Sequence, residues 1–392
     1  MYMKKFYKIA ISIFIIIVLI VSVLWFFGIS IKIFNKDTDQ NTVEIDNKEK
    51  QITQLEQMPP QEKITTENLD NKPAILFPLF GTVTIKPEVF LWGSGKNIDS
   101  PEFWMNPQTN NLYLFVSAKG NNLVEIWEFP FTNNKADSFS VPEQINGLNV
   151  DHKRNWLLVG NTEKNQVDIY SLPDYKLVKS IGQGILESGE TNLDVLTKNN
   201  GDKIAYVSES HAIKGFDIET EKLVSTITPA VEGIEEVLAD SYHNVIYVPE
   251  EEGVDSISYP HGAILAYNPD GTPYMNNGTN IFGTGGFFSD DEEGIILYEC
   301  QSNNEDTGEG FIVVANQDSE NKNSFEFFNR RTWKHLGSII FNNTSTTDGI
   351  TSVQNTLPGY PNGIFAATSR NKEVMLIGWD KIFEATGLGC EN

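Results

Sequence analysis

Carboxylate side chains are concentrated in a few short segments of this 392-residue chain. The segment SDDEEG places four consecutive carboxylates, residues 290–293, directly before the apolar run IILYEC. A Glu-Gly pair at 232–233 precedes another apolar run, and three glutamates at 250–252 follow it. The run FIVVAN leads into Gln317, and Asp348 precedes a further Gly-Ile step. Hard oxygen ligands therefore recur beside predicted buried segments, which indicates a site for a hard cation.

The donor types favour calcium among the common metals. Calcium takes roughly six to eight oxygen ligands in flexible geometry, whereas zinc and copper prefer His or Cys. The five histidines are scattered through the chain without ligand spacing. The alternative is that the acidic loops are ordinary solvated turns. The repeated Glu-Gly step at 232–233 and 293–294 favours the metal.

The overall charge limits the partners. The chain has 53 acidic and 29 basic residues, a formal net charge of −24. Such a surface repels nucleic acid, and it repels a phosphorylated small molecule unless bound cations intervene. The sequence contains neither a nucleophile elbow nor a phosphate-binding Walker loop, and GTGGFF at 283–288 is a glycine turn rather than a dinucleotide fingerprint.

The amino-terminal region predicts a membrane anchor. Three lysines precede a stretch of 23 uncharged residues between Lys8 and Lys32, which is long enough to span a bilayer as a helix. We therefore expect residues 1–34 to be a cytoplasmic tip and signal-anchor, and residues 35–76 to be a disordered linker. The predicted protein is a monomer in the cell membrane with its carboxyl-terminal domain outside. A cleaved signal peptide, giving a secreted protein, is the alternative.

Cys300 and Cys390 are the two cysteines of the chain. Outside the cytoplasm they would lie in an oxidising environment, where a disulfide is possible. Nothing in the sequence brings them together, so two free, partly buried thiols are the favoured expectation.

Repeated segments from Pro73 onward predict the fold. Six apolar runs resemble one another, and they are LYLFVSA, WLLVGN, IAYVSE, VIYVPE, FIVVAN and GIFAAT. Equivalent positions in these runs lie 41 to 66 residues apart, a spacing suited to four-stranded blades. Three runs are followed by a predicted hairpin, VDIYSLPDYKLVKSI, IKGFDIETEKLVSTI or FEFFNRRTWKHLGSI. An inner strand with an outer hairpin, repeated six times, predicts an all-β, six-bladed β-propeller over residues 77–392. A sandwich or a barrel does not explain the two-part repeat.

From Asp99 to Gly387 the chain resembles the β-propeller phytases, calcium-dependent secreted phosphatases that act on inositol hexakisphosphate. DSPEFWMNP resembles their Asp-Asp-Pro-Ala-Ile-Trp opening, and DEEGIILYEC resembles their Asp-Ile-Glu-Gly-Leu strand. EGI and YVPEEE resemble their Glu-Gly and Ala-Glu-Glu pair. TSTTDGITSVQNTLPGYPNGIFAAT resembles their Thr-Ser-Asp-Thr-Asp-Gly-Ile segment and the Tyr-Pro-x-Gly-x-Phe that follows it. This last motif disfavours a lactonase or quinoprotein propeller.

The resemblance implies a membrane-anchored, extracytoplasmic phosphohydrolase similar to 3-phytase, acting on inositol phosphates or other phosphomonoesters. In the family, calcium ions cancel the charge of substrate phosphates and polarise the attacking water, which are general uses of a metal site. The implied calcium ligands here are Glu232, Glu250, Glu251, Asp291, Glu293, Gln317 and Asp348. Among these, Asp291, Glu293 and Glu232 would have the catalytic role. Lys119 and Lys164 would bind a substrate phosphate.

Four positions depart from the family pattern. Ser100 replaces the second Asp of the opening motif, and Thr162 stands where an Arg is expected, with Lys164 nearby. Asn342 and Thr346 occupy positions expected to carry carboxylates. Fewer ligand charges weaken calcium binding. The alternative function is therefore a noncatalytic, calcium-stabilised surface propeller that binds a polymer or protein partner.

Overall fold

The computed structural model describes residues 75–93, 96–132, 137–231, 233–251, 257–289, 291–317, 323–342, 344–370 and 372–390. They belong to a compact unit that extends over Pro73–Asn392. The predicted anchor, and all but the last two residues of the predicted linker, lie outside the described residues. Among the described residues, no helix is long and apolar enough to cross a membrane.

The described residues form 25 strands in six sheets. The chain starts with β1 (Gly81–Ile85) and β2 (Val89–Trp92). Blade one contains β3 (Ile98–Met105), β4 (Leu112–Ala118), β5 (Leu123–Glu128) and β6 (Asp137–Ser140). Blade two contains β7 (Ile145–Asp151), β8 (Trp156–Asn161), β9 (Gln166–Ser171) and β10 (Lys176–Ile181). Blade three contains β11 (Leu193–Thr197), β12 (Lys203–Glu209), β13 (Ala212–Asp217) and β14 (Leu223–Ile227).

The second half of the chain forms the other three blades. Blade four contains β15 (Leu238–Asp240), β16 (Val245–Pro249), β17 (Ile264–Tyr267) and β18 (Ile281–Phe282). Blade five contains β19 (Glu292–Ser302), β20 (Glu305–Asn316), β21 (Ser324–Asn329) and β22 (His335–Phe341). Blade six contains β23 (Ile350–Val353), β24 (Ile364–Ser369) and β25 (Glu373–Gly378), followed by the helix α1 (Trp379–Thr386).

The sheets form a closed ring. The innermost strands β3, β7, β11, β15, β19 and β23 contact one another in cyclic order, and β23 returns to β3. Strand β2 pairs antiparallel with β25, so the start of the domain supplies the outer strand of the last blade. Strand β1 adds a fifth, parallel strand to β22. The predicted six-bladed β-propeller is confirmed, and a sandwich or a single barrel is excluded.

The position of the repeated apolar runs within each blade was predicted wrongly. These runs are the second strands of the blades, such as LYLFVSA in β4, and the innermost strands precede them. A second strand is covered on both faces by neighbouring blades, so its apolar run is continuous. An innermost strand borders the channel and mixes polar residues into its sequence, as NGLNVD does in β7. The predicted outer hairpins are confirmed as β9–β10, β13–β14 and β21–β22.

The carboxyl terminus packs back onto blades five and six. Helix α1 buries Trp379 and Ile382 in an aromatic cluster that includes Tyr298 of β19. The helix ends at Gly387, whose φ of +71° is left-handed and whose N–H donates to the Phe383 carbonyl over 2.9 Å. This is a common way to end a helix, because glycine adopts the left-handed conformation at little cost.

Cys300 and Cys390 form a disulfide, with their Cα atoms 5.4 Å apart. The expectation of two free thiols is wrong. Helix α1 docks against blade five and returns the chain end to β19, which brings together two residues 90 positions apart. That docking depends on tertiary packing, so the cysteine spacing alone gave no signal.

Candidate functional site

The innermost strands begin, and the second strands end, at the same end of the central channel. These strands are antiparallel within each blade, as the pairing of Ile98 with Ala118 in blade one shows. Loops from different blades therefore meet at this end, which we call the channel mouth. Its central carboxylates come from five loops or strand ends, and they are Asp99, Glu190, Glu235, Glu293 and Asp348. We call these five residues the mouth carboxylates.

Lys119 lies among the mouth carboxylates. Its Nζ is 2.6 Å from Asp99 Oδ2, 3.2 Å from Glu190 Oε2 and 3.9 Å from Glu235 Oε1. Only 14% of the Lys119 side chain is exposed. The predicted substrate-binding lysine is thus at the mouth, where carboxylates from three blades or inter-blade loops surround its ammonium group.

The carboxylates dominate the charge balance around Lys119. Burial alone would lower the pKa of Lys119, but Asp99, Glu235 and Glu190 outweigh burial and raise it. Burial raises the pKa of Asp99, although Lys119 opposes that effect. Ser100, which stands where the phytase opening motif has an Asp, donates its hydroxyl to Asp99 Oδ1 over 2.8 Å. One ammonium group therefore offsets only part of the negative charge.

Glu235 and Glu293 form a carboxyl pair across the mouth. Burial raises the pKa of Glu235, and the charge of Glu293 and a hydrogen bond to it raise the pKa further. Burial also raises the pKa of Glu293 to about 8, with Asp348, Asp99 and Glu251 adding to the effect. Each of the two carboxyl groups therefore holds its proton to a higher pH than an ordinary glutamate does.

Asp348 and Gln317 line the mouth on the side next to blades five and six. Gln317 Nε2 donates to Asp348 Oδ1 over 3.1 Å. Burial raises the pKa of Asp348 to about 7, and the charge of Asp99 contributes, while Lys119 and Gln317 oppose the shift. The structure thus brings together two of the predicted calcium ligands, and the charge of Asp348 acts on a third, Glu293.

The other predicted calcium ligands occupy different surroundings. Glu250 is fully buried beside Glu292. Glu251 lies nearer the mouth, where its charge acts on Glu293. The Asp291 carbonyl accepts a hydrogen bond from the Gln317 N–H over 2.8 Å. Glu232 lies outside the described residues.

Lys164 is not part of the network around Lys119 in the described structure. Its Nζ pairs with Glu143 Oε2 at 2.5 Å, and 42% of its side chain is exposed. The neighbouring Thr162 does reach the mouth, because its hydroxyl donates to the Glu190 carbonyl over 3.1 Å.

Two further departures from the family motif lie in the loop between blades five and six. The Asn342 N–H donates to the Ile85 carbonyl of β1, so Asn342 lies at the outer edge of blade five. Thr346 has a left-handed φ of +47° in the loop that leads to Asp348. A carboxylate at Asn342 would therefore not belong to the mouth.

The channel continues below the mouth as a cavity of about 190 Å³. Glu102, Asp194 and Glu236 line it. Burial raises the pKa of Glu102 to about 8, with a contribution from Asp194. Burial likewise raises the pKa of Asp194 to about 6 and that of Glu236 well above its usual range. Buried carboxyl groups that retain their protons more readily than usual therefore extend from the mouth into the channel.

Sequence reasoning missed three of the five mouth carboxylates. Asp99 was part of the quoted opening motif but received no role. Glu235 lies three residues after Glu232 in the segment VEGIEE, and the Glu-Gly step drew attention to the earlier glutamate. Glu190 lies in the loop between β10 and β11 and belongs to no repeated motif. The doubled glutamate at 235–236, directly before an innermost strand, was the available signal.

The donor set at the mouth fits calcium chemically. All donors are carboxylate, amide or hydroxyl oxygens, which suit a hard cation. Burial, followed by the charges of neighbouring carboxylates, raises the pKa values of Glu293 and Asp348. Within the described ranges, no three His, Cys, Asp or Glu side chains are already gathered around one point as metal ligands.

Comparisons with known proteins assign no family to this chain. No protein-family model matches the sequence, and no curated protein matches it. Among solved structures, a chain of hydrazine synthase from Kuenenia stuttgartiensis is similar, with 15% identity and a TM-score of 0.46. The match covers 82% of this chain and 83% of that chain. Identity and score at this level carry no information about substrate or mechanism. The chain is a six-bladed β-propeller with an acidic channel mouth.

Proposed function

We propose that the channel mouth is the site of a calcium-dependent phosphomonoester hydrolase acting outside the cell, with inositol phosphates as its substrate class. The excess negative charge at the mouth carries this proposal. The pKa of Glu293 is raised to about 8 and that of Asp348 to about 7. Raised carboxyl pKa values within a cleft are a feature of functional sites. A divalent cation that replaces the protons would relieve this repulsion.

Calcium dependence follows from the state of the two predicted phosphate-binding lysines. Lys119 is bound by Asp99 and Glu190, and Lys164 is paired with Glu143. A phosphate group approaching the mouth would meet more carboxylates than ammonium groups. Bound calcium would supply the missing positive charge and polarise the attacking water.

The residues at the mouth would have different roles in the reaction. Glu293, Asp348, Gln317, Glu251 and Asp291 would hold calcium. Lys119 would contact a substrate phosphate once calcium competes for its carboxylates. Phosphoryl transfer depends on positioning and charge cancellation more than on a protein nucleophile. A Ser, His and Asp constellation is therefore not required.

The Glu235–Glu293 pair adds a proton-handling group to this proposal. Burial and the neighbouring Glu293 raise the pKa of Glu235 well above its usual range. Because Glu293 would hold calcium, Glu235 would be the member of the pair that accepts a proton from the attacking water or returns one to the leaving alkoxide.

Two features support a location outside the cytoplasm. The Cys300–Cys390 disulfide is of the kind that persists in oxidising compartments. The uncharged stretch between Lys8 and Lys32 predicts a signal-anchor that would tether the domain to the membrane. The propeller would then meet substrate and calcium at the cell surface.

A noncatalytic, calcium-stabilised propeller is the second candidate. Its support is the carboxylate pairing of Lys119 and Lys164, which leaves both lysines engaged before any phosphate arrives. In this alternative calcium would stabilise the propeller, and the surface would bind a polymer or protein partner.

Phosphate release from inositol hexakisphosphate distinguishes the two candidates. The protein is assayed with excess calcium, with chelator, and with calcium restored. The hydrolase proposal predicts release only with calcium, and strongly reduced release by Glu293→Gln. Lys164→Met is the control, because Lys164 lies outside the network around Lys119. A calcium-raised melting temperature without phosphate release would favour the noncatalytic propeller.

A further inference from the structure

A second cavity lies at the end of the propeller opposite the channel mouth, where the innermost strands end and the second strands begin. Its volume is about 290 Å³, and it lies between blades one and six. One wall comes from the β3–β4 turn between Met105 and Leu112, together with Phe129. The other wall is the loop between β23 and β24, from Asn355 to Pro358. None of the described residues around this cavity belongs to the mouth, so the cavity is separate from the proposed hydrolase site.

Hydrogen bonds within the β3–β4 turn hold the first wall. Asn106 is 6% exposed, and its Oδ1 accepts hydrogen bonds from the N–H groups of Gln108 and Thr109. The Asn106 N–H donates to the Asn111 carbonyl over 2.9 Å, and the Asn110 N–H donates to the Asn106 carbonyl over 2.8 Å. The positions of residues 110 and 111 are therefore set by the turn itself.

The second wall is also held by its own hydrogen bonds. Leu357 and Tyr360 exchange two backbone hydrogen bonds of 3.0 and 2.9 Å around a tight turn. Gly359 in this turn has a left-handed φ of +87°, which suits glycine. The Thr356 hydroxyl donates to the Pro361 carbonyl over 2.9 Å. Both walls thus keep their shape without a ligand, as is usual for small-molecule sites.

The lining of the cavity combines amide groups with apolar surface and contains no charge. None of the nine described residues around it is charged, although the chain has a net charge of −24. Asn110, Asn111 and Asn355 are exposed and supply amide groups, each of which both donates and accepts hydrogen bonds. The apolar part of the lining consists of Met105, Leu112, Phe129, Leu357 and Pro358.

Phe129 gives the cavity a fixed aromatic surface. Its ring is half-buried and packs edge-on against Phe131 and Tyr360, with ring centroids 5.7 and 6.2 Å apart. Such contacts favour one orientation of the ring. A rigid aromatic face beside several amides matches a sugar ring, which has an apolar C–H face and hydroxyl groups around its edge.

We propose that this cavity binds the ring of a neutral sugar, with the three asparagine amides hydrogen-bonded to its hydroxyl groups and its C–H face against Phe129. An ionic ligand would find no opposite charge in the lining, whereas a hydroxyl group both donates to and accepts from an amide. The cavity has room for about ten water molecules at roughly 30 Å³ each, which is close to the number of non-hydrogen atoms in one pyranose sugar. The site depends neither on calcium nor on the proposed hydrolase activity.

The test is the binding of glucose, galactose, mannose and N-acetylglucosamine to the full-length protein. Methionine methyl groups labelled with carbon-13 locate the sugar in NMR spectra, because the chain has six methionines and Met105 lines the cavity. We expect at least one of these sugars to shift the Met105 methyl signal in a saturable way. The signal of Met275, which is exposed in blade four, should not move. Chelator and calcium should give the same result.

Two substitutions at position 355 test the cavity itself. Asn355→Trp should fill it and abolish the Met105 shift. Asn355→Ala should weaken sugar binding roughly threefold to tenfold, the effect of losing one hydrogen bond. Gln108→Ala is the matched control, because Gln108 is an exposed amide of the β3–β4 turn that does not line the cavity. This control should bind sugar as the parent does, and all three variants should melt near the parent temperature.

The absence of a saturable Met105 shift with all four sugars would overturn the inference, as would equal binding by Asn355→Trp and the parent. Sugar binding that requires calcium, or that Glu293→Gln abolishes, would place the sugar at the mouth and would also overturn it. A linear oligosaccharide of the bound sugar distinguishes the source: tighter binding indicates a unit of a polysaccharide, and equal binding indicates a free sugar. Sugar binding without phosphate release would refute the proposed function alone, and calcium-dependent phosphate release without sugar binding would refute this inference alone.

Discussion

Lys119 Nζ lies 2.6 Å from Asp99 Oδ2, and this ion pair occupies the centre of the channel mouth. Asp99 is 0% exposed and the Lys119 side chain 14% exposed, so solvent screens the pair only weakly. Glu190 and Glu235 approach the same ammonium group. Lys119 thus acts as an internal counterion for the mouth carboxylates. Calcium and Lys119 should compete for the same carboxylates.

Lys119→Met should destabilise the protein mainly in the absence of calcium. Removing one partner of a buried ion pair costs about 3 to 5 kcal/mol, because the other charge is left uncompensated. Calcium would replace the lost positive charge, so the loss should shrink when calcium is present. Denaturant unfolding in chelator and in calcium measures the loss of unfolding free energy in each condition.

Lys164→Met is the control for that experiment. Lys164 pairs with Glu143 at an exposed position, where solvent screens an ion pair and leaves it little effect on stability. The Lys164→Met substitution should change the unfolding free energy little, both in chelator and in calcium. If Lys119→Met lost the same stability with and without calcium, calcium and the Lys119 ammonium group would not share ligands.

Stability should fall with rising pH when calcium is absent, and Glu102 should account for part of this fall. Its pKa is about 8 in the folded protein against an ordinary value of 4.5. The folded state therefore retains a proton that the unfolded state releases. The resulting stabilisation is present below about pH 4.5 and is lost as pH rises through about 8.

Glu102→Gln should remove this part of the pH dependence. The amide oxygen can still accept the hydrogen bond that Thr351 donates to Glu102 Oε2 over 3.1 Å. The variant should match the parent near pH 4 and exceed its unfolding free energy by on the order of 5 kcal/mol near pH 9. Thermal or denaturant unfolding across this range in chelator provides the measurement. Parallel pH profiles for parent and variant would contradict the assignment.

Loss of the Cys300–Cys390 disulfide should lower stability without changing the fold. The bond closes a loop of 90 residues, and a loop of that length corresponds to roughly 4 kcal/mol in the chain-entropy model. The double variant Cys300→Ser, Cys390→Ser should show this loss in denaturant unfolding, and reducing agent should affect only the parent. Identical unfolding midpoints for parent and double variant would exclude a stabilising bond.

The sequence predicted the blades because each second strand is buried on both faces. Apolar runs such as FIVVAN repeat for that physical reason, and their number gave the six blades. The same reasoning misplaced the channel. Side chains of the innermost strands point alternately to the channel and to the core, so these strands show no continuous apolar run. Strand β15, with the three residues Leu238–Asp240, is too short to show any period.

The mouth was predicted less completely than the fold. Gln317, Asp348 and Glu293 were found because each lies directly beside an apolar run, at a strand end fixed by the blade. Glu235 was missed because the loop before β15 contains several glutamates, and the register between Glu232 and Glu235 depends on loop conformation. The Lys119–Asp99 pair joins residues within one blade, but its contact with Glu190 depends on how neighbouring blades pack. Such contacts have no local sequence signal.

The central claim is that the mouth exchanges protons for calcium, and proton release on calcium binding tests it most directly. Calorimetric titration at pH 7.5 in two buffers of different ionisation enthalpy gives the number of protons released per ion. Because the pKa of Glu293 is about 8 and that of Glu235 lies well above its usual range, we expect close to one proton or more per calcium ion at the mouth. Glu293→Gln should reduce that number. Calcium binding without proton release, or no calcium binding, would contradict the account.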